Sequence, residues 1–237
     1  MPLLIFLGLT ANIANATNRV AILLQNVAAV AGFRRHGVFD GKIGAFVALP
    51  AVLGAAAGAS VAARVKPDRL ERVIGVVLLM VLLSLLMRPQ RWLQEASSGQ
   101  QRFDACWRNP AAYLRQWPVY LAVGFYAGFV QVGVGVILLA TLVWVGRMDL
   151  VRSNALKVFV ILWCAVAATA VFGMHRQIRW DVGLVLSVGN MSGAWTAAHL
   201  AATRGSEFVR IVLILVLAFS SFKLLGGVEL LQKLVTA

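Results

Sequence analysis

The sequence predicts an all-α, polytopic membrane protein made of two inverted internal repeats, with about seven transmembrane segments and one Gly-rich helix broken within the bilayer. Three observations predict it. Hydrophobic residues fill 60% of the 237 positions and mean hydropathy is +0.82, whereas soluble domains are about 45–50% apolar. The 22 Lys and Arg, which bring the net charge to +13, concentrate in short connections between apolar runs, where such charges set topology and meet headgroups. Finally, the same order of apolar runs occurs twice, in residues 1–88 and 118–237, around a polar linker at 89–117. A nucleic-acid-binding surface needs its charge gathered on one folded polar face, and this distribution excludes it.

In chain order, Pro2 to Leu9 is too short to cross a hydrocarbon core that takes about 20 helical residues. Ile13 to Phe33 is long enough, but Asn15, Thr17, Asn18, Arg19, Gln25 and Asn26 are polar for a lipid-facing helix. Those side chains are expected to face protein or a cavity. Ile43 to Ala63 carries Gly44, Gly54, Ala55, Gly58, Ala59 and Ala62, and the Gly54/Gly58 spacing suits close helix packing. The basic connection RVKPDRLER, with Pro67 as breaker, leads to Val73–Met87, a Leu/Val-rich run expected to face lipid. The polar segment Arg88 to Trp117 holds Trp92, Trp107, Tyr113 and Trp117, side chains suited to the membrane interface.

The second half repeats this order: a Gly-rich run (Val119 to Val145), a polar-headed span (Asn154 to Met174), a small-residue span (Val182 to Ala202) and a plain apolar span (Phe208 to Leu225). Asp40 and Asp181 precede corresponding spans, where an N-cap carboxylate belongs. Gly124, Gly128, Gly133 and Gly135 surround a lone Gln131. Glycine weakens a helix and allows close backbone approach, so this run is expected to divide into two half-helices. Parity then fixes the topology: a re-entrant pair leaves three crossings per repeat and inverts the halves, whereas one continuous helix makes them parallel.

All nine acidic residues fall in connections or at helix ends, so no mid-span carboxylate is available to a cation or proton pathway. The polar groups at depth are amides and cations: Asn15, Asn18, Arg19 and Gln25 in one half, and Gln131, Asn154, Lys157 and Asn190 in the other. Such a set suits an anion, since Arg offers a planar fork, Lys a point charge and the amides neutral donors. These eight are the candidate substrate-binding residues. Arg19 and Lys157 each follow an Asn in a polar helix head, and are expected to be paired cations of one site; the competing explanation is that both snorkel to headgroups. Gln25 and Asn190 have a structural alternative as interhelical hydrogen bonders. An enzyme would need a nucleophile with a base, a metal cluster or paired acids. Ser153, Ser187 and Ser192 lack a His partner at helical spacing, and Cys106 and Cys164 form no CxxC or metal pattern. No enzyme, cofactor or metal site is therefore expected, and both cysteines should be free thiols.

At NATNRVAILLQNVAAVAGFRRHGVFD, GFYAGFVQVGVG, DLVRSNALKVFV and WDVGLVLSVGNMSGAW the chain resembles the TauE/SafE, or sulfite exporter, family along essentially its whole length. The resemblance implies a multi-pass transporter in the inner (plasma) membrane of a bacterium, with a small sulfur-containing anion such as sulfite or a sulfonate as its substrate and the lipid bilayer as its surroundings. Its oligomeric state is left open. The alternatives are a transporter of small carboxylates and a non-transporting membrane scaffold. Family members open on a further Gly-rich element before the PLL run, so Met1 is expected to be an internal or misassigned start.

Overall fold

The computed structural model describes residues 1–35, 41–86, 114–146, 148, 150–204 and 206–224. Asp40, Cys106 and most of the 89–117 linker therefore lie outside the described residues. Those residues form nine helices and no strand: α1 (Pro2–Phe6), α2 (Ala11–Arg35), α3 (Gly41–Arg64), α4 (Pro67–Leu86), α5 (Trp117–Phe129), α6 (Val134–Trp144), α7 (Leu150–Met174), α8 (Trp180–Arg204) and α9 (Ser206–Leu224). The all-α expectation holds. By length and composition two helices can cross a membrane, Ile43–Arg64 in α3 and Leu150–Met174, which is α7. Helices α2 and α8 are equally long, at 25 residues each, but α2 carries Asn15, Asn18, Arg19 and Gln25, and α8 carries Asn190.

The tightest contact joins α3 to α5. A Cβ added at Gly54 or Gly58 would land on the carbonyl oxygens of Leu121 or Phe125, and one added at Gly124 or Gly128 on those of Ala51 or Ala55. Four glycines thus interlock two backbones, with numbering that rises together on both helices, so α3 and α5 run parallel. Only residues without a Cβ allow helices this close. Helix α7 is also parallel to α3: residues 47–55 share a buried cluster with residues 156–164, and residues 59–63 share another with residues 168–172.

The Gly-rich run is broken, as the glycines predict. Helix α5 stops at Phe129, Gln131 and Gly133 take left-handed backbones (φ 64° and 70°), and Gly133 opens α6. Gly133 is required here twice over, by its φ and by the Val81 Cγ2 that a Cβ would meet at 2.7 Å. The Tyr126 hydroxyl ties the turn together by donating to the carbonyl of Val132. Past α6, Gly146 returns to the start of α5, where its Cβ position lies 3.1 Å from the Tyr120 hydroxyl. The two half-helices therefore form a hairpin.

Helix α8 starts against α2: Gly183 sits beside Val20, and the Arg179 N–H donates to Thr17 Oγ1 at 3.1 Å. Helix α4 does not simply face outward, since Leu70, Ile74, Val77 and Leu78 are buried with Val130 and Leu224 while Val73, Val76, Met80 and Leu83 are exposed. Asp181 departs from the N-cap expectation. The helix already begins at Trp180, and the carboxylate accepts two hydrogen bonds from exposed Arg179, at 3.1 and 2.7 Å. Cys164 is a buried free thiol.

Candidate functional site

The break between α5 and α6 gathers three of the eight expected residues. Arg19 is 1% exposed. Its Nη1 donates to the Ala127 carbonyl and to Gln131 Oε1, both at 3.0 Å. Its Nη2 donates to the Gly128 carbonyl and, at 3.5 Å, to Asn15 Oδ1. Asn15 completes the set by donating from Nδ2 to the Phe129 carbonyl at 2.8 Å. A helix that ends inside the protein leaves its last carbonyls unpaired and its end partly negative; here α2 supplies the donors and the positive charge that satisfy them. The guanidinium also lies 5.0 Å from the Phe172 ring centroid, and its Nε has no hydrogen-bond partner among the described residues. Arg19 therefore does not snorkel.

Lys157 and Asn154 lie on the other side of the break. Lys157 is half-buried on α7, its Nζ donates to Asn154 Oδ1 at 2.5 Å, and its Cδ lies 3.9 Å from the Cβ position of Gly135 in the first turn of α6. That end of a half-helix is partly positive, so an ammonium beside it reinforces an anion-attracting corner. Lys157 and Phe172 are 15 residues apart on α7, about 22 Å at the α-helical rise. Arg19 and Lys157 thus bracket the break from its two ends and share no partner.

The remaining three are scattered. Asn18 on α2 and Asn190 on α8 are half-buried, and Gln25 is exposed; none of the three side chains has a hydrogen bond to another described residue. Several contributors were missed from the sequence. Asn12 donates from Nδ2 to the carbonyls of Ala62 (3.0 Å) and Val65 (2.9 Å), and Gln177 Nε2 donates to Ala63 (2.9 Å), so both cap the end of α3 as Arg19 caps α5. The Asn repeat in ANIANATN was the available signal for Asn12. Nothing in the sequence points to Tyr126, whose role depends on the turn.

Among the described residues every Asp and Glu lies within the first five residues of a helix, and no group of three or more His, Cys, Asp or Glu could hold a metal ion. All of Arg19's hydrogen bonds go to neutral acceptors. The site is chemically a set of donors and positive charge around a helix break.

Comparisons with known proteins bear on the family of the chain. The probable membrane transporter protein ORF9 of Sinorhizobium sp is 23% identical over 226 residues, which is 95% of this chain and 83% of that protein. The probable membrane transporter protein YfcA of Escherichia coli K12 is 24% identical over 228 residues, 95% of this chain and 80% of its own length. A probable membrane transporter protein of Xylella fastidiosa strain 9a5c is 25% identical over 202 residues, 84% of this chain and 74% of its own. No solved structure matches. The family model described as sulfite exporter TauE/SafE matches residues 1–224, nearly the entire chain, and the protein belongs to that family of membrane transporters.

Proposed function

We propose that the chain is a secondary transporter of small anions, exporting sulfite, sulfonates or related organosulfur anions across the inner membrane of a bacterium. The observation that carries the reading is a fully buried guanidinium and a half-buried ammonium on the two sides of the break in one helix, with only neutral acceptors on the guanidinium. Positive charge at such depth with no carboxylate among its hydrogen-bond partners is costly, and in membrane proteins it marks an ion or substrate path. Discontinuous helices at the interface of repeats are where transporters hold their ligands. The family description supplies the sulfur oxyanion. Flux into proteoliposomes, measured with sulfite, ethanesulfonate, thiosulfate, sulfate and acetate, is expected to favour the first two. Acetate moving fastest would replace the substrate class with carboxylates, and no flux of any of the five would overturn transport.

In this reading the chain is a multi-pass protein with six crossing helices (α2, α3, α4, α7, α8 and α9) and a seventh, re-entrant element formed by α5 and α6. The order α2–α3–α4 crosses in one sense and α7–α8–α9 in the other, giving inverted repeats. The parallel run of α3 with α5 and α7, and the return of Gly146 to Tyr120, support it. Single cysteines at Gln116 and Arg152 are expected to label from the same face of sealed vesicles. Labelling from opposite faces would mean that the Gly-rich segment crosses.

A further inference from the structure

The amides at the break are each held by a cation, and this has a consequence for what can bind. Arg and Lys carry donors and no acceptor. An amide beside one of them must therefore turn its oxygen toward the cation. Gln131 does so, with Oε1 accepting from Arg19 Nη1 at 3.0 Å, and Asn154 does so, with Oδ1 accepting from Lys157 Nζ. Neither amide nitrogen has a hydrogen-bond partner among the described residues, and both side chains are half-buried. The NH₂ groups of Gln131 and Asn154 consequently turn away from the cations, each with two N–H donors to give.

We propose that Arg19 is a positioning residue that acts on the ligand through Gln131, and that Arg19 and Lys157 together make the lining of the break donor-only, so that it selects ligands presenting acceptors alone. A deprotonated oxyanion with an apolar remainder fits; a zwitterion, whose ammonium would find no acceptor, does not. This rests on the anion-transport reading above and adds the rule by which one anion is preferred to another. Arg19 itself is poorly placed to be the ligand's partner. Its two terminal nitrogens already make four hydrogen bonds, its plane lies near Phe172, and its free Nε is buried. The left-handed backbone of Gln131 (φ 64°) is a conformation that a non-glycine residue adopts at a cost, and the bond to Arg19 helps hold it.

The experiment is uptake of radiolabelled sulfite into proteoliposomes, competed by ethanesulfonate or by taurine, which differs by an ammonium. In the parent, ethanesulfonate is expected to compete at least about tenfold better than taurine, since a buried charged donor left without a partner is penalised by that much or more. Gln131→Glu keeps an oxygen for Arg19 but replaces the outward NH₂ with an acceptor. It should weaken ethanesulfonate by about tenfold and bring the ratio to taurine near one. Arg19→Met frees the amide to turn over and should likewise flatten the ratio, while Arg19→Lys, which restores a donor, should recover part of it. A change in folded yield alone leaves the ratio untouched, which separates positioning from a structural role. If Arg19→Met does not fold, Gln131→Glu decides by itself. A parent that moves sulfite but is competed equally by both compounds, or a Gln131→Glu variant with an unchanged ratio, overturns the donor-only lining and leaves transport standing. A parent that moves no sulfite overturns the sulfur-oxyanion reading and the lining with it, and transport itself then stands or falls on the other four anions.

Discussion

Gly128→Leu and Gly58→Leu are each expected to lower the stability of the detergent-solubilised protein by about 3 kcal/mol or more, beyond the range of most core overpacking. The new Cβ at Gly128 would sit on the carbonyl oxygen of Ala55 and 2.6 Å from its Cα; at Gly58 it would sit on the carbonyl oxygen of Phe125 and 2.9 Å from the Phe129 nitrogen. These neighbours are backbone atoms of the facing helix, so no rotamer change relieves the clash and α3 and α5 must separate. Separation also withdraws the Ala127, Gly128 and Phe129 carbonyls from Arg19 and Asn15, so transport should fail wherever folded protein survives. Melting followed by size-exclusion chromatography should show a midpoint at least about 6 °C lower for each variant. Gly189→Leu is the control, because nothing lies within 4 Å of its Cβ position. Equal midpoints for Gly128→Leu and Gly189→Leu would mean that the glycine contact is not tight in solution.

Hydropathy alone placed most of the long helices to within a few residues, because burial in lipid leaves a continuous apolar signal: Ile43 to Ala63 became Gly41–Arg64, and Asn154 to Met174 became Leu150–Met174, whereas Val73 to Met87 became Pro67–Leu86, its polar first turns hidden from that signal. The break after Phe129 was legible because glycines in an otherwise apolar run signal a weakened helix. Its position was not, since that depends on the left-handed Gln131 and Gly133 and on the Tyr126 hydroxyl. Gly54 and Gly58 announced a close helix contact, but only the structure supplies the reciprocal pair on α5. The site was half legible. Asn15, Arg19 and Gln131 stood out as polar groups at depth, yet Arg19's partners are mainly backbone carbonyls, which every residue possesses and no sequence pattern marks. For the same reason Asn12 and Gln177 were passed over, as both cap the end of a helix distant in sequence. Gln25 was expected at the site on the strength of its helix alone, and its turn of α2 proves to be exposed.

Lys157→Gln is expected to reduce sulfite transport at least about 100-fold, as loss of a charge that meets a partly desolvated anion commonly does. The reason lies in what surrounds the ammonium. Lys157 stands seven residues into α7, about 10 Å from the helix start, with its stem against the first turn of α6 and, among the described residues, a single neutral partner, Asn154 Oδ1. An ammonium has three donors, so two remain for a ligand, beside a half-helix end that itself favours negative charge. Arg19 cannot take over this role because its charge is committed to the end of α5. Gln is nearly the length of Lys and should leave the helix contacts in place, so the variant should insert, remain monodisperse and melt within about 2 °C of the parent, the range of substitutions that break no packing. Lys157→Arg keeps the charge but spreads it over a rigid plane and should retain an intermediate rate. Arg64→Gln, at the end of α3, should transport like the parent. The competing explanation is that Nζ leans back toward Asn154 only to reach the headgroups. Under that explanation Lys157→Gln keeps full transport. That result would remove Lys157 from the site and leave Gln131 and the first turn of α6 to meet the anion alone.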